Sequence, residues 1–179
     1  CRGYGAPSLN HEDVCFFTMA SQQDAADFGD LASGSSYGGS GMASPTRGII
    51  VPSRSPSAFV NTIEFCTIAT TGNFQDFGDA VNTDNTDFAM AGGSATRGVL
   101  AGGQDSPNTT TDITFITYAT KGNTQKFGDL HTAHSYAASA SDCITLVTAG
   151  GQGTTDRMDA IAITTGGKSV DFGNLTVSK

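Results

Sequence analysis

Acidic side chains recur in this chain inside a fixed phrase. Asp30, Asp79 and Asp129 each close a Phe-Gly-Asp unit, and Asn174 takes the same place in a fourth copy. Carboxylate oxygens are the ligands that calcium takes, so a shared cation site is the first chemistry to weigh. Calcium loops, however, gather their acids within one short loop. Here the neighbouring phenylalanines, Phe28, Phe77, Phe127 and Phe172, are separated by steps of 49, 50 and 45 residues. The expected role is therefore structural, with each Asp capping a tight turn by accepting hydrogen bonds from nearby backbone N–H groups. Arg2, Arg47 and Arg97 also recur and have the right charge to pair with those acids. The pairing is not kept: Thr145 stands where an arginine should follow Asp129, and Asn174 would precede Arg2 if the chain closed on itself. Backbone capping by each group is expected in place of an obligate ion pair.

Other reactive sets are thinner. His131 and His134 lie three apart, a ligand spacing that suits a helix. This segment reads instead as loop running into strand, where positions i and i+3 face opposite ways. No metal site is expected there, and His11, beside Asn10, Glu12 and Asp13, reads as solvent-exposed. The chain has no Gly-x-Ser-x-Gly, no His-Glu-x-x-His and no phosphate loop with its lysine. Asp is plentiful enough for a paired-carboxylate glycosidase, but no pair stands out. The four cysteines, Cys1, Cys15, Cys66 and Cys143, form no Cys-x-x-Cys pair. Cys15 and Cys66 sit in apolar runs and are expected as buried free thiols; a Cys1–Cys143 bridge is left open. The expectation is a protein that is not an enzyme and carries no metal or cofactor.

The elements that must position these residues repeat with them. Ahead of each Phe-Gly-Asp phrase runs an apolar stretch: VCFFTMA (14–20), IEFCTIA (63–69), ITFITYA (113–119) and MDAIAIT (158–164). Both alternating faces are mostly apolar, as in a strand whose sheet is covered on both sides. TTGN (70–73) and TKGN (120–123) follow two of them, and Gly-Asn is a two-residue hairpin signal because both residues tolerate positive φ. The Phe-Gly-Asp segment is then the returning strand. A Ser/Ala/Gly-rich strand comes next (88–94, 136–141), and then an Arg-Gly strand ending in Gly-Gly (96–103), with a weaker copy at 144–151. Four short antiparallel strands per repeat of about 40–50 residues is the arithmetic of a β-propeller blade.

The bulk composition agrees with an all-β domain. Of 179 residues, 23 are Gly, none is Trp and only 15% are charged. A domain of this length buries roughly 70% of its unfolded surface and needs no staples to hold a core. The net charge of −8 and a pI near 4.5 argue against nucleic acid or an anionic membrane as the main partner. No apolar run approaches the ~18 residues of a membrane span, so no membrane insertion is expected. The chain starts at Cys1, with neither Met nor signal peptide, as a processed product or a fragment would.

Set side by side, these elements resemble the kelch family. VLAGG (99–103) and LVTAGG (146–151) resemble the Gly-Gly strand of a kelch repeat, ITFITYAT (113–120) its third strand and QKFGDL (125–130) its fourth. Phe127 stands where kelch repeats usually carry Trp. The combination TGN-x-x-DFGDL, S-x-TRG and AGG resembles, more narrowly, kelch-like repeats in structural proteins of tailed, especially marine, bacteriophages. The resemblance implies a kelch-like β-propeller with four blades of about four antiparallel strands, forming a single domain over 1–179. The repeats are set at about 14–61, 62–111, 112–157, and 158–179 completed by 1–13. LTVSK (175–179) beside 1–6 is expected to close the ring, leaving no open edge; the rival is a fragment of a five- to seven-bladed propeller. It also implies a non-catalytic component at the virion surface or tail, a tail appendage, fibre or surface-decorating protein. Its partners would be other virion proteins and a host surface glycan or receptor. The Tyr–Cys and two-His copper set of some kelch-like enzymes has no counterpart here.

Within the repeat, Phe28, Phe77, Phe127 and Phe172 are expected as core wedges of the outer strand. The loops after the Gly-Gly strands refuse to repeat, and loops on a rigid scaffold are where function concentrates. The candidate rim residues are Asn10, His11, Arg54, Asn61, Gln104, Asp105, Asn108, Gln152, Asp156 and Arg157. They suit hydrogen bonding to a polar partner. A glycan-binding, lectin-like propeller is thus the alternative reading, with a glycan-active enzyme behind it.

Overall fold

The computed structural model of the protein describes residues 12–33, 39–51, 60–80, 88–105, 108–152 and 156–177. Among these residues the chain is all-β, without a helix. Strands β1 (Asp13–Phe16) and β2 (Ala26–Asp30) form a two-stranded sheet. β3 (Gly41–Ala43), β4 (Arg47–Ile50), β5 (Thr62–Thr67) and β6 (Gln75–Asp79) form a four-stranded one in chain order. β7 (Met90–Gly93) and β8 (Arg97–Ala101) lead into a small hairpin, β9 (Gln104–Asp105) and β10 (Asn108–Thr109). β11 (Asp112–Thr117) and β12 (Gln125–Asp129) then complete a second four-stranded sheet. β13 (Ala138–Ser141), β14 (Thr145–Ala149), β15 (Arg157–Ala162) and β16 (Val170–Asn174) make the third. Every pairing is antiparallel.

The strand order within each four-stranded sheet is the one expected from sequence: Ser/Ala/Gly strand, Arg-Gly strand (Thr145 in the third sheet), apolar strand, Phe-Gly-Asp strand. The sheets therefore straddle the sequence repeats. The repeat at 14–61 supplies the outer pair of one sheet, β1 and β2, and the inner pair of the next, β3 and β4.

The Phe-Gly-Asp phrase is a β-bulge inside the fourth strand, not a turn that leaves it. Ile63 pairs with Gly78 while the next residue, Glu64, pairs with Asp76, so Phe77 is the extra residue. The same slip occurs opposite Phe28, Phe127 and Phe172. A bulge leaves a backbone N–H without its ladder partner, and the acid before the Phe takes it. Asp27 Oδ1 accepts from Gly29 N at 3.1 Å, Asp76 Oδ1 from Gly78 N at 3.1 Å, and Asp171 Oδ1 from Gly173 N at 2.9 Å. The side-chain cap expected of Asp30, Asp79 and Asp129 thus falls on the other acid of the phrase. Those three contribute main-chain groups, and Asp129 also accepts from Lys126 Nζ at 2.6 Å.

The bulges of β2, β6 and β12 each dock onto the loop between the third and fourth strands of the next sheet. Gly72 N donates to Phe28 O and Phe74 N to Asp30 O, both at 2.7 Å. Gly122 N and Thr124 N repeat this on Phe77 O and Asp79 O, as do Gly167 N and Ser169 N on Phe127 O and Asp129 O. The two backbones lie so close that a Cβ on Gly29, Gly78 or Gly128 would collide with the carbonyl group of Gly72, Gly122 or Gly167. The loop is accordingly longer than the expected two-residue hairpin: residues 68–74 connect β5 to β6, with Gly72 at φ 152°. Its Gly-Asn pair is turned outward to the preceding sheet.

Two apolar clusters fill the spaces between consecutive sheets. One joins Met42, Ile49, Ile63, Phe65 and Phe77 to Leu100, Ile116 and Tyr118; the other joins Met90, Val99 and Ile113 to Leu146, Ile161 and Ile163. The expectation that the apolar strands are covered on both faces holds for β5, β11 and β15, where consecutive residues are buried, and fails for the first copy, where Phe16, Phe17 and Met19 are 40%, 50% and 92% exposed. The inner strands lie side by side, β3 next to β7 and β7 next to β13. They are tied by serines, with Ser40 Oγ donating to Ala89 O at 2.6 Å and Ser139 Oγ to Ala91 O at 3.0 Å. The core-wedge expectation holds fully for Phe77, which is 2% exposed, and fails for Phe172, which is 58% exposed. The difference is that no described sheet covers β16. The expected closure by 175–179 against 1–6 falls largely outside the described residues. Among those described, no backbone hydrogen bond joins β1–β2 to the β13–β16 sheet.

A single junction separates steric from conformational cost. Gly78→Ala adds a clash to a strained φ of 146° and should lower the urea-unfolding free energy by about 3 kcal/mol or more. Gly122→Ala, at φ 148° with open space around its Cβ position, should cost about 1 kcal/mol. Equal losses would overturn the docking account.

Candidate functional site

Strand direction sorts the connections into two ends. The short turns between first and second strands share one end with the docking loops. That end is built from repeated residues. Ser44 Oγ accepts from Thr46 N (3.2 Å) and Arg47 N (3.0 Å), and Ser94 Oγ from Thr96 N (3.3 Å) and Arg97 N (3.2 Å). Asp142 does the same for Ile144 N (2.9 Å) and Thr145 N (2.7 Å). Those two backbone bonds hold its carboxyl below the usual range. Arg47 donates to Tyr118 O in the next sheet, and Arg97 Nη1 to Ile163 O (3.0 Å) and Thr164 O (2.8 Å). Their guanidinium carbons also sit 5.0 Å from the Phe65 centroid and 4.6 Å from the Phe115 centroid. Arginine therefore caps backbone carbonyls rather than pairing with the Phe-Gly-Asp acids, as the sequence led us to expect. Arg2 lies outside the described residues.

The opposite end carries the loops that differ. The Gly-Gly pairs turn the chain there, with Gly102 and Gly103 at φ 60° and 117°, and Gly150 and Gly151 at 69° and 96°. The segment entering β13 laces across these turns. Gly103 N donates to His134 O at 3.1 Å, and Ser135 and Gln152 form a two-way backbone bridge. Above it Phe88 and Tyr136 stack with centroids 3.7 Å apart and planes 20° from parallel. Both hold a left-handed backbone, φ 57° and 59°, which is uncommon for bulky residues and is met where surrounding structure or a site demands it. Tyr136 is half-exposed, and its hydroxyl donates to Gln104 Oε1 at 3.1 Å.

Of the rim candidates, Asn10, His11 and Arg54 lie outside the described residues. Gln104, Asp105 and Asn108 form the β9–β10 hairpin beside the stacked rings. Gln152 is exposed on the Ser135 bridge, and Asn61 is exposed just before β5. Asp156 is half-buried, and its carbonyl accepts from Leu175 N at 2.5 Å. Arg157 lies within β15 and is committed inward, its Nε 3.0 Å from Oδ1 of the fully buried Asp159. The stacked rings escaped the sequence reading, although both aromatics precede a Ser/Ala/Gly strand 48 residues apart, which was the available signal.

The two histidines part company, His131 exposed and His134 buried. His134 Nδ1 donates to Thr132 O at 3.0 Å, which leaves Nε2 to accept from Thr148 Oγ1 at 3.3 Å. Burial holds its pKa below the usual histidine value, opposed by the Thr132 carbonyl and by Asp159 and reinforced by Arg157. Among the described residues no three His, Cys, Asp or Glu side chains are grouped to hold a metal. Cys66 is a half-buried free thiol whose pKa burial pushes up, Cys15 is half-buried, and Cys143 is a free, exposed thiol at a turn. Cys1 lies outside the described residues.

No family model and no curated protein matches this chain. Among solved structures it is similar to that of YjhT, a β-propeller-like protein, with a TM-score of 0.70 and 16% sequence identity. The match covers 90% of this chain and 52% of that one, so this chain spans about half its length. The likeness is one of fold alone.

The buried histidine sets a pH dependence. Its folded pKa lies below its unfolded value near 6.5, so the unfolded chain takes up the proton first. Stability is whole above about pH 6.5 and should fall as the pH drops through the window beneath it. Urea midpoints between pH 5 and 7.5 should show this fall, and His134→Gln should flatten it. An unchanged slope in the variant would refute the assignment.

Proposed function

We propose that the sheets are blades of a kelch-like β-propeller. We infer that the protein serves as a non-catalytic structural or adhesive component of a tailed-phage virion, a tail appendage, fibre or surface-decorating protein. The fold likeness to a β-propeller-like structure and the side-by-side inner strands support the propeller. One observation carries the role. The repeated polar residues are spent on holding sheet to sheet, Arg47 and Arg97 on carbonyls, and Asp27, Asp76 and Asp171 on bulge amides. What remains for a partner is the end where loops vary on a rigid frame. The resemblance of TGN-x-x-DFGDL and S-x-TRG to repeats of phage structural proteins supplies the setting. Its partners are then neighbouring virion proteins and a host surface molecule. Immunogold labelling of purified virions with antibody to this chain should decorate the tail or particle surface. Particles left bare in a lysate that contains the chain would overturn the role.

A second reading, a glycan-binding propeller, is favoured by the Phe88–Tyr136 stack beside Gln104. Aromatic faces with adjacent amide and hydroxyl groups offer apolar contact and directed hydrogen bonds together. On a glycan array the chain should then bind a restricted set of polysaccharides. Gln104→Ala combined with Asn108→Ala should weaken that binding at least about tenfold, the loss expected when two directed hydrogen bonds go, with thermal melting unchanged. Binding to no polysaccharide would remove this reading.

A further inference from the structure

The junctions inside the chain follow one pattern, and among the described residues its two halves are left uncovered on the outermost sheets. β16 presents the accepting half. Gly173 keeps the glycine, and a Cβ there would meet nothing nearer than Met158 Cε at 3.6 Å. The space that a Gly-bearing loop fills beside Gly29, Gly78 and Gly128 is open beside Gly173. Val170 and Phe172 flank it, 63% and 58% exposed. The loop between β1 and β2 presents the donating half. By register Gln23 and Ala25 stand where Gly72 and Phe74 place the N–H groups that hold the preceding sheet. Phe17 and Met19 beside it are 50% and 92% exposed.

Charge matches these halves to each other. In a junction, the loop residue after the glycine position faces the residue that ends the Phe-Gly-Asp phrase. Asn73 Oδ1 accepts from Asp30 N at 3.2 Å and Asn123 Oδ1 from Asp79 N at 3.0 Å. At the third junction the register sets Lys168 against Asp129. No internal junction opposes two acids. The uncovered loop carries Asp24 at this position, and the uncovered strand carries Asn174 instead of Asp. An Asp24 carboxylate set against another Asp would be repelled, whereas against Asn174 it accepts the main-chain N–H without a like charge beside it. The one exchange of Asp for Asn in the phrase complements the one acid among the loops.

We propose that β16 of one chain docks onto the 21–25 loop of a second copy, and the reverse, closing a two-chain ring. A two-fold axis makes both junctions identical. The junction lacks two aids, with Thr145 in place of the arginine that caps carbonyls at two of the internal junctions and Gln23 in place of the positive-φ glycine. It is therefore weaker than the internal junctions and reversible. The inference rests on the propeller geometry but not on the virion role, and its test leaves that role untouched.

Sedimentation equilibrium of the full chain should show a two-chain species that dissociates on dilution. Phe172→Lys, at a side chain mostly in solvent, should yield monomer with an unchanged circular dichroism spectrum. Asn174→Asp should raise the dissociation constant at least about tenfold by opposing Asp24, and Asp24→Asn added to it should restore assembly. A monomer at every concentration, whether its ends are apart or joined to each other, would overturn the proposal. So would a double variant no better than Asn174→Asp alone.

Discussion

Everything in this molecule depends on two backbones being allowed to touch. The bulged Phe-Gly-Asp strand of one sheet and the glycine loop of the next approach until only hydrogen fits between them, and two N–H to carbonyl bonds then form across the gap. Each such bond contributes only about 1 kcal/mol net. Its larger effect is geometric, because it fixes the distance and tilt at which the apolar faces meet. The phrase is the device for this. The bulge turns Phe77 aside into the space between sheets, where it meets Phe65 edge-on at 5.9 Å, and exposes a carbonyl on either side of the glycine. The preceding Asp satisfies the N–H that the bulge strands, so the strained backbone carries no orphaned donor.

The residue after the bulge on the apolar strand shows how the same frame handles polarity. It is Cys15, Glu64, Thr114 or Asp159, and the last three are buried. Glu64 is long enough to reach the preceding sheet, accepting from Ala32 N at 2.8 Å and Ser33 N at 2.6 Å. A buried carboxylate so bonded is compensated. Asp159 is one methylene shorter and is met instead by Arg157 from its own strand, while its second oxygen finds no partner. The site tolerates acid, hydroxyl or thiol because it lies at the seam between sheets, where main-chain amides are within reach, and not in the apolar clusters.

Strand order was legible in the sequence because it is written in period-two apolar runs and glycine punctuation, signals that act within a few residues. The Arg capping role was legible because the failed Arg–Asp correspondence excluded an obligate pair. What stayed hidden is long-range. Nothing local distinguishes a glycine demanded by a turn from Gly78, which is demanded by a carbonyl 44 residues further along. The bulge was misread as a turn for the same reason, since Asp-Phe-Gly-Asp satisfies the composition of both. Phe172 carries the repeat faithfully and is still exposed. Burial belongs to the neighbour that covers a residue, and the residue's own letter does not encode that neighbour.

The division of the molecule into a repeated end and a varied end follows from this economy. Docking loops, serine-capped turns and arginine staples all gather at one end, where Ser44, Ser94, Arg47, Arg97, Asn73 and Asn123 already have their bonds. A change there disturbs a junction, and with it two sheets. At the other end the Gly-Gly turns hand the chain to connections of unequal length, such as the β9–β10 hairpin, whose removal would leave the ladder between β8 and β11 intact. The Phe88–Tyr136 stack stands at that end with both residues in a backbone conformation that costs energy, although the junctions do not require it. Cys143, at φ 73° in the β13–β14 turn of the repeated end, spends the same conformation on reversing the chain, whereas at Phe88 and Tyr136 it brings two rings face to face.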